Sequence, residues 1–235
     1  MDPSEFDSYA DTYHEQHSRN IALSGEEPEF FSEYKVADAR RLAAVRRLQV
    51  SRLLDFGSGI GNSIPYFRKH FPGADVFCAD ASQRALAVAA ERFPGPEHQV
   101  HVKEGSGLDL PDGSFDLCFS ACVFHHIAHD RHGFWLGELR RVTRAGGMIV
   151  IFEHNPLNPL TTAAVRSCPF DVNARLMTAR KLARTMRSQG WRDPGCEYRV
   201  FFPHVFSRLR PLERFLVRLP AGAQYSLSSV KTGEA

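Results

Sequence analysis

The chain has 235 residues, of which 43% are hydrophobic and 24% charged, with a formal net charge of +2. That length suits one α/β domain with additions and a core of its own, and the near-balanced charge gives no electrostatic case for a nucleic-acid partner. Five cysteines without a C-x-x-C pair, no apolar N-terminal leader and no run approaching 18 apolar residues argue against a disulfide scaffold, a standard secretory signal and a membrane span, so the expected compartment is the reducing cytoplasm.

Residues 1–27 are polar but carry Phe6, Tyr9 and Tyr13 at helical spacing, which predicts an amphipathic helix. Ser24-Gly25-Glu26-Glu27-Pro28 then breaks the chain. A second helix is expected over 29–48, with Phe30, Tyr34, Ala37 and Leu42 turned inward. Residues 1–48 together read as a helical cap, and 49–235 as the core.

The apolar run at 53–56 leads into Gly57-Ser58-Gly59-Ile60-Gly61-Asn62, and a helix is expected at 64–70. Glycine admits positive φ and lets a ligand approach the main chain. Free N–H groups at a following helix start suit an anionic or carboxylate-bearing ligand. A strand, a glycine turn and a helix in this order point to a nucleotide-like cofactor at the first crossover of an α/β sheet. The third glycine falls one residue earlier than in the dinucleotide fingerprint G-x-G-x-x-G, which disfavours a nicotinamide-dependent oxidoreductase.

Residues 75–79 read as a buried strand ending at Asp80-Ala81, with Ser82 as N-cap of a helix over 84–93. Asp80 lies about 20 residues beyond the glycines, the spacing that brings an acid to ribose hydroxyls. A third strand is expected at 99–103. Pro111-Asp112-Gly113 then turns the chain into a fourth strand at 115–119, followed by Ala121-Cys122-Val123-Phe124-His125-His126. Cys78 and Cys118 fall in these strands, where a free cysteine acts as a small apolar residue.

A helix at 133–141 and the turn Thr143-Arg144-Ala145-Gly146-Gly147 precede a fifth strand at 147–152. The polar, proline-containing segment from His154 leaves that strand at its carboxyl end, where open α/β sheets bind ligands. Residues 154–175 are therefore one candidate substrate wall. A helix at 179–189, a strand at 197–202, a helix at 206–219 and a closing antiparallel strand at 224–230 complete the chain. Residues 203–222 form a second candidate wall, whose Leu209, Leu212, Phe215, Leu216 and Leu219 pack on the core or make a dimer or lipid-facing patch.

The run Asp55-x-Gly57-x-Gly59-x-Gly61, the acid at Asp80 and the Leu110-Pro111…Phe115-Asp116…His125-His126 segment together resemble the class I S-adenosylmethionine (SAM) dependent methyltransferases, of the small-molecule, ubiquinone-biosynthesis type. The resemblance spans about residues 50–153, with an echo in Phe6-Asp7-x-Tyr9-Ala10-x-x-Tyr13. It implies a Rossmann-like seven-stranded, mostly parallel sheet with the last strand antiparallel, helices on both faces and an N-terminal cap that closes over SAM. It also implies methyl transfer to the O, N or C of a sugar, lipid precursor or secondary metabolite, with S-adenosylhomocysteine as product. The implied cofactor contacts are Asp55, Gly57, Ser58, Gly59, Gly61, Asp80, Ala81, Gly105, Ser106, Gly107, Ala121, Val123 and Tyr13. Ser106-Gly107 stand where the family usually has an Asp-Ala pair reading adenine, which leaves open a second reading, a non-catalytic or partner-dependent protein on the same fold.

An acceptor hydroxyl or ammonium must lose a proton, and His is the side chain nearest neutrality. The candidates are His154, His125 and His126, with Glu153 and His14 behind them. His125, His129 and His132 have helical spacing, but the sequence implies no acid or cysteine partner for them, so no metal site is expected. No Asp/Asn-Pro-Pro-Tyr/Phe motif follows strand 4, which weakens a nucleic-acid amino-methylase reading. A small-molecule acceptor is the expected partner, with the chain as monomer or homodimer.

Overall fold

The computed structural model describes residues 25–103, 105–168 and 171–233. The expected first helix with Phe6, Tyr9 and Tyr13 lies outside the described residues.

Among the described residues the elements run in the order α1 (Pro28–Val45), β1 (Arg52–Phe56), α2 (Ile64–His70), β2 (Asp75–Asp80), α3 (Gln83–Arg92), β3 (His98–His101) and β4 (Phe115–Ala121). There follow α4 (His132–Val142), β5 (Thr143–His154), α5 (Pro159–Ser167), α6 (Ala179–Ser188), β6 (Arg192–Arg199), α7 (Glu213–Leu216) and β7 (Gln224–Val230). The seven strands form one sheet in the order β3-β2-β1-β4-β5-β7-β6. Pairing is parallel from β3 to β5. β7 inserts between β5 and β6, antiparallel to both. The seven-stranded, mostly parallel sheet and its antiparallel last strand are those that the resemblance implies.

Period-2 alternation sends successive strand residues to opposite faces. In β5, Ile149 and Ile151 join one buried cluster with Leu136 and Leu139 of α4 and Leu182 and Met186 of α6. Met148, Val150 and Phe152 join the other, with Val36, Ala39 and Ala43 of α1, Ile64 and Phe67 of α2 and Leu86 of α3. The central strands are thus covered on both sides, which explains their continuous apolar runs.

Three expectations change. The inward face of α1 is Phe31, Val36, Ala39, Leu42 and Ala43 rather than Phe30 and Ala37, and Val36, Ala39, Leu42 and Ala43 pack in one buried cluster with the sheet. β5 begins at Thr143, which pairs with Phe115 before the ladder resumes at Leu117↔Met148. The glycine turn therefore bulges out of the strand instead of preceding it. The helix expected at 206–219 is replaced by 3₁₀ turns over His204–Leu212, kinked at Phe206, and the short α7. Pro211 lies inside this stretch, and a helix-interior proline removes a hydrogen bond and clashes with the preceding turn. Val205, Phe206, Leu209, Leu212, Phe215 and Leu219 consequently stand exposed among the described residues.

The two candidate walls meet at the carboxyl end of β5. Asn155 Nδ2 donates to Pro220 O (3.2 Å) and Gly222 O (2.8 Å), Asn158 Nδ2 donates to Ala221 O (2.8 Å), and Thr161 Oγ1 donates to Ala223 O (3.0 Å). Asn158 also caps α5 by accepting from Thr161 N.

Candidate active site

The glycine loop joins β1 to α2. All three glycines have positive φ, +77° at Gly57, +52° at Gly59 and +77° at Gly61, but for different reasons. A Cβ on Gly57 would lie 2.2 Å from Val123 Cγ2, and one on Gly61 2.8 Å from Ile64 Cδ1. These two glycines permit close packing. Among the described residues a Cβ on Gly59 would meet nothing within 4 Å, so this turn of backbone is left open by them, as a ligand cradle requires.

The adjoining strand β2 fixes the loop. Gly57 N donates to Ala79 O (2.7 Å). The Asp80 carboxylate accepts from Gly59 N through Oδ2 (2.8 Å) and from Ser82 N through Oδ1 (2.8 Å). Ser82 caps α3 by accepting from Ala85 N (3.0 Å), as its position in the sequence predicts. His101 Nε2, at the end of β3, lies 3.2 Å from Ala81 O.

Two polar atoms at this loop, Asp55 Oδ2 and Ser58 Oγ, are buried without a hydrogen-bond partner among the described residues. Burial, with the nearby Asp80 charge added, raises the Asp55 carboxyl to about 8. Orphaned buried polar groups are uncommon and call for a partner. A cation with N–H donors would satisfy Asp55 and restore its ionised form, and the ammonium of SAM has that chemistry. The residues present therefore fit the cofactor at this end.

At the adenine end, Gly105 has φ +74°, and a Cβ there would meet nothing within 4 Å among the described residues. Ser106 is exposed and its hydroxyl donates to Lys103 O (2.9 Å). Gly107 lies against the Glu138 carboxylate, which a Cβ would have to push aside; the same carboxylate accepts from Leu108 N (2.7 Å).

A second group of side chains gathers where β4 and β5 end. Ala121 closes β4, and Cys122 follows with φ +60°, a strained value for a residue with a Cβ. Lys35 Nζ donates to Cys122 Sγ at 3.4 Å. Although burial opposes the charge, Lys35 and a hydrogen bond from His154 pull the Cys122 thiol down to about 6. His125 Nδ1 lies 2.6 Å from Glu153 Oε2, and Glu153 Oε1 accepts from Val123 N (3.0 Å) and Phe124 N (2.7 Å). Burial disfavours a charged His125, but Glu153 and Asp171 outweigh it and raise the imidazole to about 10. His126 is lowered by burial and by the His125 charge beside it. His154 is half-buried, its ring centroid 5.1 Å from that of His125.

The structure thus brings Asp55, Gly57, Ser58, Gly59, Gly61, Asp80 and Ala81 together at one end. It places Ala121, Val123, His125, His126 and His154 at the neighbouring strand exits, while Tyr13 lies outside the described residues. Sequence reasoning missed Cys122, Lys35 and Asp171. Neither Lys35 nor Asp171 carries a local signal of its contacts in the sequence.

Residues 54–151 match the family model described as a methyltransferase domain. A demethylmenaquinone methyltransferase from Thermus thermophilus is 35% identical over 107 residues, covering 45% of this chain and 48% of its own length. A phosphatidylethanolamine N-methyltransferase from Cereibacter sphaeroides is 27% identical over 167 residues, covering 68% of this chain and 73% of its own. The chain spans about half the length of the demethylmenaquinone relatives it matches. Among solved structures, a SAM-dependent methyltransferase from Thermotoga maritima superposes with a TM-score of 0.67 at 16% identity, covering 97% of this chain and 99% of its own. The phosphoethanolamine N-methyltransferase 2 of Haemonchus contortus, in complex with S-adenosyl-L-methionine, gives 0.57 at 19% identity, with coverages of 83% and 53%. Residues 54–151 thus match a methyltransferase-domain family model over less than half of the chain, and the glycine loop, the acid after β2 and the seven-stranded sheet are the features that the class I resemblance implies.

Proposed function

We propose that the protein transfers a methyl group from SAM to a small-molecule acceptor. The observation that carries this reading is the open backbone at Gly59, set beside the orphaned Asp55 carboxylate and the Asp80 carboxylate at the end of β2. Bound SAM would supply an electrophilic methyl on a sulfonium leaving group. Asp55 would take the ammonium, Asp80 the ribose hydroxyls through charge-assisted hydrogen bonds, and Ser106 the adenine amino group. The protein's main task is then to place the acceptor.

The acceptor would enter between the walls at 154–175 and 203–222, which side-chain hydrogen bonds tie together. His154 is the imidazole we assign to proton removal. His125 is held between two carboxylates and keeps its proton at neutral pH, so it is a poor base. The Cys122 thiolate accepts a hydrogen bond from His154 and would stabilise the imidazolium that forms. Relatives named for demethylmenaquinone, phosphatidylethanolamine and malonyl-acyl-carrier protein suggest a lipid, quinone or acyl acceptor. No helix among the described residues is long and apolar enough to cross a membrane.

Calorimetry with SAM and S-adenosylhomocysteine tests the reading. Micromolar binding of both is expected, followed by methyl transfer in an acceptor screen. A folded protein that binds neither would overturn it.

A further inference from the structure

The His125–Glu153 pair belongs to a larger cluster that methyl transfer does not require. His126 and Asp171 complete it. Asp171 lies in the loop between α5 and α6, and the sequence gives no hint that it meets the histidines after β4.

We propose that His125, His126 and Asp171 form a binding site for a divalent transition-metal ion of the zinc type. Nε2 of His125 lies 3.5 Å from Asp171 Oδ1, and Nε2 of His126 lies 3.3 Å from the same oxygen. One ligand atom from each residue falls within 4.8 Å of the others. Both nitrogen–oxygen distances exceed the usual 2.7–3.2 Å of an N–H···O bond. They match the edge of a tetrahedron whose centre lies about 2.0–2.1 Å from nitrogen and oxygen donors, an edge of about 3.4 Å. The spacing leaves room for an ion between the groups.

The outer shell points the same way. Glu153 Oε2 lies 2.6 Å from His125 Nδ1 and holds a proton there, so an ion that displaces the Nε2 proton would find that nitrogen facing Asp171. A carboxylate on the far nitrogen of a ligating histidine is the usual support of such a site. Two backbone N–H groups, of Val123 and Phe124, hold Glu153 in turn. The Asp171 loop is itself fixed. Asp171 N donates to Cys168 O (3.1 Å), Ala174 N to Asp171 O (2.8 Å) and Arg175 N to His125 O (2.8 Å). His125 and Asp171 are buried, whereas His126 is partly exposed and gives a route of entry. Two imidazoles and one carboxylate suit zinc and its neighbours rather than magnesium or calcium. Three protein ligands leave a fourth position open to water or another oxygen donor. None of the three ligands is a residue of the glycine loop or of Asp80, so the site stands whether or not the chain binds SAM.

The test uses the full chain, stripped with a chelator and titrated with zinc chloride by calorimetry, then with cobalt(II) as a spectroscopic probe. One zinc per chain is expected, and cobalt should give the strong visible bands of a four-coordinate N/O site. Asp171→Asn and His126→Ala should abolish stoichiometric binding. Glu153→Gln should weaken it by about 10- to 100-fold. His98→Ala, which removes an exposed histidine paired to Asp75, should leave it unchanged. A folded wild-type protein without stoichiometric zinc overturns the proposal, as does wild-type binding in both ligand variants. If a variant fails to fold, the wild-type cobalt spectrum decides, because weak octahedral bands are incompatible with the site.

Discussion

The Asp80 carboxylate accepts the Gly59 N–H at 2.8 Å, so the end of β2 holds the loop that ends β1. Both groups lie at the carboxyl edge of the parallel strands, and the parallel β1–β2 ladder brings them there. The acid therefore shapes the loop and stands beside the open side of Gly59.

Replacing Asp80 with Ala removes this anchor and the proposed ribose contact. A hydrogen bond to a charged group contributes roughly 1.5–3 kcal/mol, so SAM affinity should fall about 10- to 100-fold while the protein stays folded. Gly59→Val should do at least as much, since it fills the cradle and places a β-branched residue at φ +52°. Calorimetry on both variants checks this, and unchanged affinity in both removes the cofactor assignment.

Asp55 gives a pH signature. Its carboxyl is raised in the folded state to about 8 from an ordinary value near 3.8. Between those values the folded protein binds more protons than the unfolded one, so stability without ligand should fall as pH rises through that window. A cationic ligand reverses the preference and expels the proton. SAM binding near pH 7 should release a proton, seen as a buffer-dependent heat in calorimetry, and the release should vanish in Asp55→Asn.

Cys122 should be the thiol that alkylates first. The Lys35 ammonium 3.4 Å away and the hydrogen bond from His154 favour the thiolate against burial, the reactive form, and the side chain is partly accessible. Burial pushes Cys118 up to about 12 and keeps it inert. Iodoacetamide labelling followed by peptide mapping should show Cys122 modified ahead of the rest, with an inflection near pH 6. Lys35→Ala should move the inflection upward.

Trp191 tests the packing that supports the second face. It is buried just after α6, and its indole Nε1 donates to Leu136 O of α4 at 3.0 Å. Trp191→Ala should cost about 3–5 kcal/mol in urea unfolding. Trp191→Phe, which loses chiefly the hydrogen bond, should cost about 1–2 kcal/mol.

Much of this protein is legible in the sequence because its signals are local. The glycine spacing, the cap at Ser82 and the apolar strand runs report backbone conformation and burial within a few residues, and α2 and β7 fall at the expected bounds. The 206–219 helix failed for an equally local reason, since the period of its leucines takes no account of Pro211. Only the tertiary structure could place Asp171 against His125 and His126, or Lys35 of α1 against Cys122. Those contacts depend on which elements become neighbours, and periodicity carries no record of that. The strand order brings β4 beside β5 and leaves their carboxyl ends adjacent. The residues after those ends, and the helix and loop packed over them, then form one cluster from positions that are unrelated in the chain.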